Sequence, residues 1–157
     1  MHSKVLSLMF YVGVFLLWTL MIYWCHRLAH IVPVISDIHR DHHKQIADNT
    51  FNGLHWSNLF LYFDSWKSTA DQWVTEVIPT FMFAWLTDQW WMFGLYYVWA
   101  AFMQEAVEHN PKFNAYPFIT SGKWHLVHHA DNSKNFGVFF PIWDIVFGTS
   151  KNIGNRK

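Results

Sequence analysis

Between Val5 and Cys25 the chain reads "VLSLMFYVGVFLLWTLMIYWC", twenty-one residues without a charge. As a helix rising 1.5 Å per residue, this run spans the ~30 Å hydrocarbon core of a bilayer. A cleaved signal peptide is the rival reading. The run is too long for one, and no small-residue A-x-A site follows it. Tyr23 and Trp24 close the run where an interfacial aromatic belt belongs. The expectation is an uncleaved transmembrane helix.

A second apolar region runs from Trp73 to Met103 and is broken only by "TDQ" at Thr87–Gln89. It predicts either one long helix or a tight hairpin of two. A buried hairpin in a soluble protein is the alternative. The composition argues against it: hydrophobic residues make up 52% and charged residues 14%, where a soluble domain carries about 25% charged. The length of 157 residues suits one domain, taken as 1–157. The formal net charge of zero gives no reason to expect a nucleic-acid partner.

Histidine is the unusual abundance, with ten of eleven copies between His26 and His129. "SDIHRDHHKQ" holds His39, His42 and His43, and "KWHLVHHADN" repeats the H-x-x-H-H spacing with His125, His128 and His129. Residues i, i+3 and i+4 share a helix face, so each triplet is expected to point one way. His26 and His30, in "HRLAH", are i and i+4 beyond the first apolar run. His109, in "EAVEHN", ends the second apolar region, with Glu105 one turn behind it. If these groups build one site, they lie on one membrane face. That requires an even number of crossings between them, and so the hairpin. Apart from Lys4, every Lys and Arg lies in Arg27–Lys67 or Lys112–Lys157, which places that face in the cytoplasm. The expected fold is all-α: an integral membrane bundle of about three membrane helices carrying a cytoplasmic histidine-rich helical cap.

Four helical segments offering inward metal-capable side chains suggest a bundle metal site. The single Cys25 excludes Cys-rich zinc and iron–sulfur centres. Imidazole suits iron, zinc, copper and nickel. A metal takes four to six ligands, so eight or nine histidines imply two metals. Haem needs only one or two axial histidines. His55, in "NGLHWSN", is either a further ligand, a partner that orients one, or an interfacial side chain. Asp37, Asp41, Asp131 and Asp144 are candidates to hold imidazole N–H groups, and Asp144 could equally cap the turn before Gly148. Phe81, Trp85, Phe93 and Tyr97 either line a lipid path or face lipid and pack between helices. A transporter would place ligands within the membrane at broken helices. These cluster beyond the helix ends, which favours an enzyme over a non-catalytic metal-binding protein. A zinc hydrolase needs only three ligands and an open position.

At these residues the sequence resembles the fatty acid hydroxylase/sterol desaturase superfamily of integral-membrane di-iron enzymes. The pattern H-R-x-x-H, H-x-x-H-H, a later His and a final H-x-x-H-H is met at His26–His30, His39–His43, His109 and His125–His129. The tail matches as "NFG" at Asn135–Gly137 and "WDIVFGT" at Trp143–Thr149. Bacterial carotenoid ring hydroxylases approach this length, but "HRLAH" and the tail fit the broader group better. The resemblance covers residues 26–149. It implies His26, His30, His39, His42, His43, His109, His125, His128 and His129 as ligands of two irons, with zinc able to substitute. It also implies dioxygen activation and hydroxylation or desaturation of a lipid: a fatty acyl chain, a sterol or a carotenoid-like molecule. Some members place a second histidine one turn before the one matching His109. Here Glu105 stands there, as a further ligand or as a residue that orients one. With no fused haem or iron–sulfur domain in the sequence, electrons are expected from a separate protein of ferredoxin or cytochrome b5 type.

Overall fold

Helix α1 (His2–Ala29) carries the long apolar run and continues past it to the first histidines. The computed structural model describes residues 2–48, 54–113, 119–120 and 122–151, apart from the side chains of His2 and Glu105. These residues form seven α-helices, one 3₁₀ turn and two π-helical segments, with no β-strand among them. The all-α expectation holds. Among the described residues α1 is the one helix long and apolar enough to cross a membrane by itself. Leu6, Leu8 and Met9 on its outer half are over 60% exposed, a surface that suits lipid contact better than water.

The chain turns sharply after α1. Ile31 and Val32 both donate to Leu28 O, and Pro33 then opens α2 (Pro33–Ala47) at its first position. There its missing N–H costs nothing. α2 packs against α3 (Trp66–Gln72), which Ser65 caps by accepting from Ser68 N.

The second apolar region is a hairpin. α3 runs on through a π-helical segment (Trp73–Val77) into α4 (Ile78–Thr87). Asp88 ends α4 in the left-handed region, at φ 54°. Gln89 follows, and α5 (Trp90–Val98) returns into a second π-helical segment (Trp99–Glu108). The break therefore falls on the "TDQ" interruption. Pro79 explains the first widened segment, because its ring has no N–H for Thr75 O and crowds that carbonyl. The wider turn carries Thr75, Glu76 and Val77 into the interior together, three consecutive buried residues that one regular helix face would not accommodate.

α1 lies along this hairpin. Trp18 Nε1 donates to Thr80 Oγ1 at 3.0 Å. Trp18, Ile22, Met92, Tyr96, Ala100 and Phe139 share one apolar core. Tyr11 meets Trp91 beside the hairpin tip, so the hairpin reaches from that level to the level of His26. At 1.5 Å per residue, positions 11 to 26 cover about 22 Å, and this is why each arm is short. Phe81 and Trp85 project outward and exposed, while Phe93 and Tyr97 pack against the core. None of the four lines the cavity beside the histidines.

The tail motifs form a clamp. Asn135 is fully buried with φ 55°. Its amide donates to Trp124 O and Lys151 O, and its carbonyl accepts from Lys151 N at 2.7 Å. α7 (Ile142–Val146) presents Asp144, which accepts from Phe136 N, Gly137 N and Thr149 Oγ1 at 2.7–2.9 Å. A Cβ on Gly137 would lie 2.8 Å from Asp144 Oδ2 and 2.5 Å from Phe140 O, so only glycine fits. Trp143 Nε1 bonds Thr19 Oγ1 and Tyr23 bonds Thr149, fastening the clamp to α1. Asp144→Ala strips three buried donors of their acceptor. It should cost about 2–5 kcal/mol, read as a fall in the thermal unfolding midpoint in detergent. Asp37→Ala, which removes only an exposed pair with Arg40, should leave that midpoint nearly unchanged.

Candidate metal centre

All nine motif histidines converge at one end of the helices, in two groups. His26, His30, His39, His43 and His128 form the first, and His42, His109, His125 and His129 the second. Within each group, one ring nitrogen per residue lies within 4.8 Å of all the others. The groups adjoin, with the His43 and His129 ring centroids 4.3 Å apart.

The geometry explains the doubled motif. On α2 the i, i+4 pair His39/His43 enters the first group, and His42 crosses to the second. On α6 (Lys123–Ala130) the i, i+4 pair His125/His129 enters the second, and His128 crosses to the first. Each H-x-x-H-H therefore serves both groups, two rings one way and one the other. The triplets do not each point one way as expected from spacing. The i+3 ring diverges from the i/i+4 pair by enough helical rotation to reach a different centre. α1 adds His26 and His30. His109, at the end of the second π-helical segment, completes the second group.

Hydrogen bonds fix which nitrogen faces inward. A carbonyl can only accept, so His26 Nδ1–H donates to Phe136 O at 2.8 Å and His128 Nδ1–H to Lys134 O at 2.7 Å. His39 Nδ1–H donates to Asp71 Oδ2 at 2.8 Å. His39 and His128 meet their neighbouring rings through the other nitrogen, Nε2. His30 Nε2 lies 3.0 Å from His39 Nε2 and 3.1 Å from His128 Nε2. His43 Nε2 lies 3.1 Å from His39 Nε2. In the second group His129 and His125 approach to 2.9 Å through Nε2. Two metal–nitrogen bonds of about 2.1 Å at a right angle set their nitrogens about 3.0 Å apart. One imidazole proton cannot bridge five converging nitrogens, whereas a cation can. Nine imidazoles so arranged fit two metals of the iron, zinc or copper type.

Protonation also suits ligation. Burial first, and then the neighbouring His39 ring, lower the His30 pKa to about 4 and the His42 pKa to about 3. Burial is likewise the main cause depressing His43, His109, His125, His128 and His129, with adjacent imidazoles adding to it. Neutral imidazole is the ligating form.

The residues that orient the rings differ from those expected. Asp37 pairs with Arg40, Asp41 with Lys67, and Asp131 with Lys151 and Ser133. Asp144 acts one step removed, by clamping the strand of chain whose Phe136 carbonyl holds His26. The carboxylate that bonds a ring directly is Asp71, on α3 and 32 positions from His39. Buried Glu108 lies 3.3 Å from His125 Nδ1. Asp71 has no sequence spacing to a histidine that would reveal it, but it is an acid at the mouth of an apolar hairpin. Glu108 was legible, since it adjoins His109. His55 stands in neither group. It is exposed and caps the 3₁₀ turn Trp56–Phe60, accepting from Ser57 N. The Glu105 side chain lies outside the described residues. Asp71→Asn should weaken metal binding by about 10–100-fold in chelator competition, while Asp41→Asn should leave the affinity unchanged.

Several known proteins are similar to this chain. A Delta(7)-sterol 5(6)-desaturase of Aspergillus fumigatus is 28% identical over 130 residues, covering 82% of this chain and 33% of its own. Human lathosterol oxidase is 25% identical over 150 residues, covering 95% of this chain and 45% of its own. Mouse lathosterol oxidase is 28% identical over 149 residues. The chain thus spans a third to a half of the length of the curated relatives it matches. No solved structure gives a significant match. The fatty acid hydroxylase family matches residues 11–149, which takes in most of α1, the hairpin, all nine converging histidines and most of the tail clamp, and the chain belongs to that family.

Proposed function

We propose that this protein is a membrane-bound di-iron oxidoreductase that uses dioxygen and external electrons to hydroxylate or desaturate a C–H position of a lipid. The observation that carries the reading is the division of nine imidazoles into adjoining groups of five and four. His26, His30, His39, His43 and His128 would hold one iron, and His42, His109, His125 and His129 the other. Bound iron supplies the dioxygen activation that an unactivated C–H bond requires and that no side chain can provide.

The chain's own residues do the positioning. Asp71, Phe136 O and Lys134 O keep three rings turned inward, and the Asp144 clamp keeps Phe136 in place. α1 and the hairpin stand in the bilayer, with the histidine end in the cytoplasm beside the basic residues. A lipid reaching that end brings its reacting carbon against the imidazoles while its apolar body stays among the helices. A cytoplasmic ferredoxin or cytochrome b5-type donor supplies electrons. The relatives named for sterols put Δ7-sterols first on a substrate panel, with fatty acyl and carotenoid-like lipids after them.

Purified protein should carry close to two metal ions per chain, and elemental analysis finding one or fewer would rule out the paired centre. Given iron, a reductase and a donor, membranes should yield lipid products heavier by one ¹⁸O from labelled dioxygen, or lighter by two hydrogens. His43→Ala and His128→Ala both remove a ring from the five-histidine group. Each should abolish turnover, and the double variant should be scarcely worse than either alone, because ligands acting as a unit are non-additive. If the lipid panel shows neither product with iron bound and electrons delivered, the alternative of a non-catalytic or zinc-dependent metal-binding protein prevails.

A further inference from the structure

The cavity beside the histidines has a polar wall that the metal site does not account for. Asp71, Gln72, Thr75, Glu76, Gln104 and Glu108 line it opposite His26, His42 and His125. All six sit on the two arms of a largely apolar hairpin, and buried polar groups are costly unless they serve a purpose. Gln72 and Gln104 bond each other reciprocally at 2.8 and 3.1 Å, and Gln72 also donates to the Tyr96 hydroxyl at 3.1 Å. Their amides and the Tyr96 phenol surround the Glu76 carboxyl. Glu76 is 6% exposed, and its Oε2 is buried with no hydrogen-bond partner.

The other named residues of this wall and rim are committed. The Nδ1 protons of His26 and His39 hold those rings against Phe136 O and Asp71. The Thr75 hydroxyl donates to Asp71 O. Glu108 lies against His125, and amides do not release protons at working pH. The groups near Glu76 that could exchange a proton with it are Asp71, Tyr96 and Cys25.

We propose that Glu76 is the proton-transfer residue of this cavity, held in place by Gln72, Gln104 and Tyr96. The proposal rests on the oxygen-dependent reading above. Hydroxylation consumes one dioxygen, two electrons from the one-electron donor protein and two protons, and returns the alcohol and one water. Desaturation consumes the same and returns the alkene and two waters. In either case Glu76 passes one of the two protons to the oxygen being reduced to water, and the carboxylate regains a proton from solvent between turnovers.

The test compares iron-loaded wild-type, Glu76→Gln and Glu76→Asp proteins in detergent, reduced chemically and exposed to dioxygen. Glu76→Gln should bind the same amount of iron and release at least ten-fold more hydrogen peroxide per electron pair, with Glu76→Asp returning most of the way to wild type. Infrared spectra of the wild type should show a protonated carboxyl band that shifts in D₂O and is absent from Glu76→Gln. If Glu76→Gln does not fold, Tyr96→Phe carries the comparison and should raise peroxide release measurably. An unchanged peroxide yield in the variants, or a wild type without the carboxyl band, overturns the proposal while leaving the oxygenase reading intact. A wild type that binds iron but never reduces dioxygen overturns both.

Discussion

Nine imidazoles must be held with ring nitrogens facing one another, and most of the architecture follows from that requirement. Lone pairs 3 Å apart repel, so nothing within the cluster itself would draw them together before a cation is bound. The restraint comes from behind each ring. Asp71 grips His39, and backbone carbonyls grip His26 and His128. α1 delivers two rings at its end, the hairpin delivers Asp71 and His109, and the tail delivers the Phe136 carbonyl. Elements far apart in sequence are thus tied to one small volume, and the apolar packing of Trp18, Tyr96 and Phe139 keeps them at fixed distances.

The spacing of histidines carried much of this in advance. Period-3.6 arithmetic put the motif residues on helices, and the run from Val5 to Cys25 identified the one helix among the described residues long and apolar enough to cross a bilayer alone. The need for one shared face turned the second apolar region into a hairpin with its break at the "TDQ". Spacing could not reveal which ring joins which group. His42 and His43 are adjacent in sequence yet serve different groups, because one step along a helix rotates a side chain by about 100°. Nor could it identify Asp71, whose relation to His39 exists only once α2 packs on α3. The acids chosen for their closeness to histidines in sequence mostly pair with nearby lysines and arginines.

The two π-helical segments flank the same cavity from opposite arms of the hairpin. One holds Glu76, whose neighbour Gln72 closes the preceding helix, and the other holds Gln104, Glu108 and the approach to His109. An ordinary α-helix presents one stripe to its neighbours. A widened turn admits extra side chains to the interior, and here they include the polar Thr75 and Glu76. Pro79 is the visible cause in the first arm. The sequence shows a proline in an apolar run, and the structure shows that it creates room for a carboxyl rather than only a kink.

The bond from His26 to the Phe136 carbonyl joins residues 110 positions apart, and that separation is also a delay. Chains grow at about 5–20 residues per second, so His26 waits about 5–22 s after it is made before its holding group exists. α1 can enter the bilayer early in that interval, yet the first histidine group stays unfinished until residues 128 to 149 have emerged and closed around α1. Metal arriving before then would find loose pairs of imidazoles and bind only weakly. The five-histidine group is therefore complete only once the tail clamp has folded back against α1.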